Sequence, residues 1–421
     1  MAQSSLRETI GKWPGWRVYK HIDFRILWIG SFLSFTGTQI QNVAQGDLVY
    51  QLTGTKVSLG AIAFFGMIPV TILGPILAFF SDILDRRKVL LWAMTGYAAG
   101  AGVLTAGIYM GWIQYWMILA VALVNGLIFT IEQPSRQSIV RSIVPPEDLS
   151  AAIPAQGMTF NFARSVGPAI GGLLTAAFGP AICFAINTVS YFGIFFATMK
   201  MKADLSPVSK SPEPIKDLIF EGMLYTFRTK ALRVLFLMEA TTSLCGIYYL
   251  SMMPAIVKDI LGLDAKGLGV AFSCVGIGAL LSLIVISSQA DKQMKPLIIR
   301  IAMSTFAIAM FGLSVSNVPV LSFACLALLG ASTMAQFNTT NTMFQLIAPH
   351  RLKGRVLAMH MWAVAGLSPI GSLMFGKLAD WTNLPTVLLI SSGVIAFGAT
   401  MGWVYRKAVV EPKVGEEAGA S

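Results

Sequence analysis

The chain has 421 residues, of which 55% are hydrophobic and only 12% charged, with a net charge of +11. A soluble domain carries about 25% charged residues, so the composition excludes an ordinary water-soluble protein and points to a bilayer. The basic residues recur in alternate loops rather than in one patch, which excludes a polyanion-binding surface and reads as membrane topology.

The first 22 residues are polar and basic (Arg7, Lys12, Arg17, Lys20) and lack the apolar core of a cleavable signal. Trp13-Pro-Gly-Trp16 through Tyr19 reads as an interfacial anchor. Each spanning helix needs about 20 mainly apolar residues. Spans are predicted at 25–47, 58–80, 89–111, 114–132, 152–178 and 181–200, then at 232–254, 267–288, 297–316, 319–344, 355–378 and 385–405. Arg86-Arg87-Lys88, Arg136 and Arg141, Lys200 through Arg233, Lys292 and Lys295, Arg351 through Arg355, and Arg406 and Lys407 mark one side of the membrane. The opposite loops hold little more than Lys56, Lys258 and Lys266. Both termini and the long central connection are therefore predicted to be cytoplasmic.

The predicted organisation is a cytoplasmic segment 1–24, a six-helix bundle 25–200, a linker 201–230, a second six-helix bundle 231–406 and a cytoplasmic tail 407–421. The linker opens with Ser206-Pro-Val-Ser-Lys-Ser-Pro-Glu-Pro214, a composition suited to a spacer. Ile215, Leu218, Ile219, Met223 and Phe227 then share one helical face, as in an amphipathic helix on a membrane surface. The halves echo each other. Gln133-Pro-Ser-Arg-Gln137, the turn Val144–Leu149 and Gly167-Pro-Ala-Ile-Gly-Gly172 are matched by Asn338-Thr-Thr-Asn341, the turn Ala348–Gly354 and Ser368-Pro-Ile-Gly-Ser372. An apolar chain built twice over is the pattern of a secondary transporter.

A carboxylate within a bilayer costs about 2.5 kcal/mol or more, so Asp47, Glu132 and Glu239 are candidates for proton coupling. Glu132 has Arg136 one turn on and Arg164 in the next span, and reads either as a proton-sensitive switch or as a fixed ion pair joining the fourth and fifth helices. Glu239 has no cation in its own span and is read as a proton or cationic-substrate contact. Asp47 reads as a proton site or as a group reaching the outer headgroups. Arg164 requires an anion, either Glu132 or an anionic substrate. Gly167, Pro168, Gly171 and Gly172 give the fifth helix a small-residue face, for a hinge or for close packing. Cys183, Cys245, Cys274 and Cys325 all fall in spans without paired spacing, so neither disulfides nor metal ligation is expected. His21, His350 and His360 are too scattered for a metal site. With no phosphate-cradling Gly-Lys loop and no reactive constellation, neither an enzyme nor a cofactor is expected.

The segment Ser81-Asp-Ile-Leu-Asp-Arg-Arg-Lys88 resembles the cytoplasmic Asp/Arg motif of the major facilitator superfamily, with Ala78 and Asp85 where glycines are usual. Leu48-Val-Tyr-Gln-Leu-Thr-Gly54, Glu132–Gln137 and Arg164–Gly172 are similar to the branch of that superfamily containing bacterial macrolide and enterobactin exporters. Asp47 departs from it where a Trp is common, Asp291–Lys295 is a worn copy of the Asp/Arg motif, and the fourth span lacks an Arg-centred motif. The resemblance implies an all-α membrane protein of twelve helices in two pseudo-symmetric bundles. It implies a central cavity lined by the first, fourth, seventh and tenth helices, and hence by Gln39, Asn42, Gln45, Asn125, Gln336 and Thr340, although these amides and hydroxyls can equally bond between helices. Asp82, Asp85, Arg86 and Arg87 would form a cytoplasmic latch, or else a solvated topogenic loop. The implied function is export of a small amphipathic drug or siderophore across a bacterial-type cytoplasmic membrane by proton antiport, by a monomer with no nucleic-acid partner. A lipid or lysophospholipid flippase of the same fold, or a membrane sensor without transport, are the alternatives.

Overall fold

Without water to satisfy backbone N–H and C=O groups, apolar stretches in a bilayer must close their hydrogen bonds internally, which leaves the helix as the spanning form. The computed structural model is accordingly almost entirely helical, and describes residues 17–203, 205, 215–287 and 294–410. Helices occupy each of the twelve predicted stretches: α1 (Ile22–Thr53), α2 (Lys56–Ile83), α3 (Arg86–Tyr109), α4 (Tyr115–Ile143), α5 (Leu149–Phe178) and α6 (Pro180–Lys200). After α7 (Ile215–Arg228) follow α8 (Lys230–Leu250), α9 (Ala265–Ser287), α10 (Lys295–Val315), α11 (Pro319–Ile347), α12 (Lys353–Trp381) and α13 (Leu384–Val404). Among the described residues ten are long and apolar enough to cross a membrane; α1 and α5, with amides and charges along their length, are not in that set. Large apolar side chains such as Trp92, Phe397 and Ile308 are mostly exposed, as a lipid-facing surface requires.

The ends are set by local chemistry. Gly54 (φ +65°) ends α1, and Gly179 (φ +80°) separates α5 from α6; both need the left-handed region open to glycine. The Asp85 carboxylate accepts from the backbone N–H groups of Arg87 (2.9 Å) and Lys88 (3.3 Å) and caps α3. The Asn383 side chain caps α13. The matched turns take matched forms, a 3-10 turn at Pro146–Asp148 leading into α5 and another at His350–Leu352 leading into α12. Pro134 lies inside α4, and Pro154 and Pro168 inside α5.

Two compact units divide the chain, the first of residues 1–45 and 72–211, the second of 46–71 and 212–421. The division falls within α1 and α2, whose Gly46–Thr71 portion belongs with the second unit. In the first unit, Phe24, Leu27, Leu90, Met94, Ile139, Val140, Tyr191 and Ile194 pack into one buried cluster. In the second, α9 and α11 cross so closely that a Cβ on Gly278 would overlap the Ala327 carbonyl oxygen, and one on Gly330 the Val275 carbonyl oxygen. α12 contains a π-helical segment at Trp362–Gly366, and another π segment, Ile256–Ile260, follows α8.

The amphipathic segment forms α7, which docks on α12. A Cβ on Gly222 would lie 2.7 Å from the Arg355 carbonyl oxygen, Thr226 is buried, and Glu221 pairs with Arg351 and Arg355. Phe220 and Leu224 are left exposed. The anchor Trp13–Trp16, the spacer Ser206–Pro214, the loop residues 291–293, the tail 411–421 and the side chain of Asp82 lie outside the described residues.

Candidate functional site

In the first unit the polar residues of α1, α4 and α5 converge. Glu132 and Arg136, one turn apart on α4, are each about 4% exposed and ion-paired. Arg136 also donates to the Ser31 hydroxyl of α1 (2.8 Å) and lies 5.1 Å from the Phe35 ring centroid. The pair thus ties α4 to α1 rather than to α5. Arg164, half-buried on α5, has no ion-pair partner among the described residues. Beside this group lies a cavity of about 390 Å³ lined in part by Phe35, Gln133, Arg136, Arg141, Gln156 and Phe160. Both amide atoms of Gln156 are enclosed without a hydrogen-bond partner.

Close packing brings α5 onto α1. A Cβ on Gly167 would lie 2.6 Å from the Gln39 Cβ, and one on Gly171 2.8 Å from the Ile40 carbonyl oxygen, while Pro168 and Gly172 are also buried. Asn42 donates to Gln39 (3.0 Å) and is exposed. Gln41 contacts Gln45 at 3.5 Å and accepts 2.7 Å from Asn187 of α6, whose amide also reaches the Tyr191 hydroxyl. Asn125 has its amide oxygen enclosed and unpaired. At the start of α3 the Arg86 guanidinium donates to Ser142, and Arg87 to the carbonyls of Met201 and Ala203. These two arginines of the Asp/Arg motif are spent inside the first unit, and Asp85 on its own helix.

In the second unit Glu239 of α8, fully buried, faces His360 of α12, 4% exposed, with Oε2 and Nδ1 2.8 Å apart. The sequence shows no cation near Glu239 because its basic partner lies 121 residues on. The other Glu239 oxygen is enclosed without a partner. Gln336 is fully buried, accepting from Thr242 (3.0 Å) and donating to the Met238 carbonyl (3.3 Å), and Thr340 is buried too. Of the two roles open to these residues, cavity lining or bonding between helices, Gln336 makes the second, joining α11 to α8, because both ends of its amide must find partners in an apolar interior.

The end of α1 and the start of α2 carry a second cluster in this unit. Asp47 is 1% exposed, 2.5 Å from Lys258 and bonded by Gln51 at 2.6 Å, so it does not reach for headgroups as one sequence reading had it. The Tyr50 hydroxyl donates to Asp259 (2.6 Å), which also pairs with Lys56 (3.0 Å). Asp380 accepts from the backbone N–H groups of Lys56 and Val57, both at 2.8 Å, and so caps α2. The sequence marks Lys258 only for topology and His360 only as too scattered for a metal site, and it does not single out Asp259, Asp380, Gln156 or Asn187. The signal for Gln156 and Asn187 was present, an amide within an apolar run; the others needed the pairing of distant segments. Among the described residues no group of His, Cys, Asp and Glu could hold a metal.

Long apolar helices with buried polar and charged side chains define a multi-pass membrane protein. The comparisons name the family: the model of the transmembrane secretion effector family, within the major facilitator superfamily, matches residues 14–416, and the chain belongs to it. It is 24% identical over 358 residues to the staphyloferrin A transporter of Staphylococcus aureus, covering 83% of this chain and 88% of that one. It is 21% identical over 392 residues to macrolide efflux protein A of Streptococcus pyogenes (91% and 95% covered). It is 23% identical over 395 residues to the enterobactin exporter EntS of Escherichia coli (90% and 91%). Among solved structures it resembles the nucleoside transporter NupG (TM-score 0.72, 13% identity, covering 91% and 99%). It also resembles an inward-facing bacterial homologue of the iron transporter ferroportin (TM-score 0.71, 14% identity, covering 91% and 98%).

Proposed function

We propose that this multi-pass membrane protein exports a small amphipathic molecule, a drug or a siderophore, across a bacterial-type cytoplasmic membrane in exchange for protons. The supporting observation is that each acid predicted within the spans is buried against one basic group: Glu132 with Arg136, Glu239 with His360, Asp47 with Lys258. Such a carboxylate can trade its partner for a proton when the site is hydrated or loaded. Histidine is the side chain that ordinarily changes charge between pH 5 and 8, which favours Glu239–His360 as the coupling pair. The named cargoes of the relatives, staphyloferrin A, macrolides and enterobactin, support export of a small molecule. The alternation of basic loops supports both termini in the cytoplasm. Alternating access would require Asp47, Tyr50 and Lys56 to part from Lys258 and Asp259 during opening toward the outside.

The test uses everted vesicles holding a proton gradient, with a pH-sensitive dye and a panel of drugs, siderophores and lysolipids. Substrate-dependent proton release in the wild type, lost in Glu239→Gln, is expected. Release that persists in Glu239→Gln and disappears in Glu132→Gln would transfer the coupling role to Glu132. No release with any compound, in vesicles holding folded protein, would overturn proton-driven drug or siderophore export.

A further inference from the structure

We propose that the cavity between α1, α4 and α5 is the substrate site and that it takes an amphipathic anion, an acidic group on an apolar or aromatic body. This rests on the reading of the protein as a small-molecule exporter and narrows its cargo. The cavity volume of about 390 Å³ falls in the range of small-molecule pockets, about 300–1,000 Å³.

Its charge is one-sided. Arg136 is neutralised by Glu132, which lies behind it on the same helix. Arg141, at the rim, has no acid partner among the described residues, and no carboxylate is among the lining side chains. Arg164 is not itself among the lining residues; it lies on the same face of α5 as Gly157 and Phe160, one turn beyond Phe160. Glu132 was the acid within the spans that the sequence offered to Arg164, and it is taken by Arg136. A guanidinium at membrane depth without an anion is costly, and its planar fork matches a carboxylate. The missing negative charge is therefore assigned to the cargo.

Two further features fit the same ligand. The Gln156 amide, enclosed with neither atom bonded, forgoes hydrogen bonds that a bound polar group would supply. Phe35 and Phe160, edge to face at 5.4 Å, offer an aromatic wall beside the charges. A cation in this place would meet Arg141 with no carboxylate among the lining side chains to offset the repulsion.

The test compares two probes with one aromatic body, pyrenebutyrate and pyrenebutyltrimethylammonium, on the full chain in zwitterionic nanodiscs. Binding is read by energy transfer from tryptophan. Saturable binding of the anion is expected, weakened at least tenfold by Arg164→Gln, less by Arg164→Lys, and several-fold by Gln156→Leu, with the cation unaffected. Displacement of pyrenebutyrate by 1-naphthoate supports a soluble cargo, and displacement by lysophosphatidylglycerol alone supports a lipid bearing the same acidic chemistry. Melting temperatures show whether the variants fold; should they not, the preference of the wild type between the two probes decides. Tighter binding of the cation, or anion binding unchanged in folded Arg164→Gln and Gln156→Leu, overturns the proposal. Binding of the anion without flux in vesicles would count against export while leaving the site, whereas flux of the cation alone would keep the exporter and sink the site.

Discussion

Glu239 and His360 are buried together in one hydrogen bond, and each is costly without the other. Removing one member of a buried pair typically costs about 3–5 kcal/mol, because the remaining charge has no solvent and no partner. His360→Leu is expected to destabilise by about 3 kcal/mol, and adding Glu239→Gln to that variant to restore most of the loss. Thermal unfolding of the four proteins of the cycle in detergent would check this; independent, additive losses would refute the pairing. A second residue-scale contact lies outside the spans, where Asp148 accepts from His21 (2.9 Å) and pairs with Arg17 (2.5 Å). The His21 hydrogen bond, joined by Arg17, holds the Asp148 carboxyl below its ordinary range against the opposing effect of burial. Its contribution is therefore present above the unfolded-state pKa and is lost as pH falls through the lower folded value. Asp148→Asn should lower the melting temperature at pH 7, and the two proteins should converge under strong acid. A gap that stayed constant down to pH 2 would show that the carboxylate charge is irrelevant.

At the scale of elements, helix crossings rest on residues chosen for what they lack. Gly278 and Gly330 allow α9 and α11 to touch backbone to backbone, and Gly371 of α12 does the same against Leu244 of α8. Gly278→Ala is expected to cost about 1–3 kcal/mol through overpacking, while Gly393→Ala on α13, with nothing within 4 Å of its added carbon, should cost nothing. Equal melting temperatures for the two variants would contradict the crossing. The Gly-Pro face of α5 was legible in the sequence as a small-residue stripe. That it packs on α1, at Gln39 and Ile40, was not, since a stripe of glycines does not name its neighbour.

For the whole molecule, the fact with most bearing on transport is that α1 and α2 are shared, with Gly46–Thr71 grouped with the second unit. Asp47 and Lys258, Lys56 and Asp259, and the cap of Asp380 on α2 hold that portion in place. Asp380→Ala, which strips the acceptor from two backbone donors, should make a cysteine placed at Thr55 several-fold more reactive to an impermeant maleimide from outside. Unchanged labelling would mean that the cap does not restrain the start of α2.

The bilayer and the twelve stretches were determined by the sequence itself, because a spanning segment must be apolar over about 20 residues and close its own hydrogen bonds wherever it sits. The duplicated turns were equally legible, and both became 3-10 turns, since turn chemistry is local. Arg136 beside Glu132 could be read from an i, i+4 spacing alone. Only the tertiary structure gave Glu239 to His360, Asp47 to Lys258 and Gln336 to Thr242, because those pairs join segments about 94–211 residues apart. Among the described residues it also left Arg164 without an acid and Gln156 without a partner. Periodicity can say that a polar group must turn inward, but which side chain it meets there depends on which helices pack together.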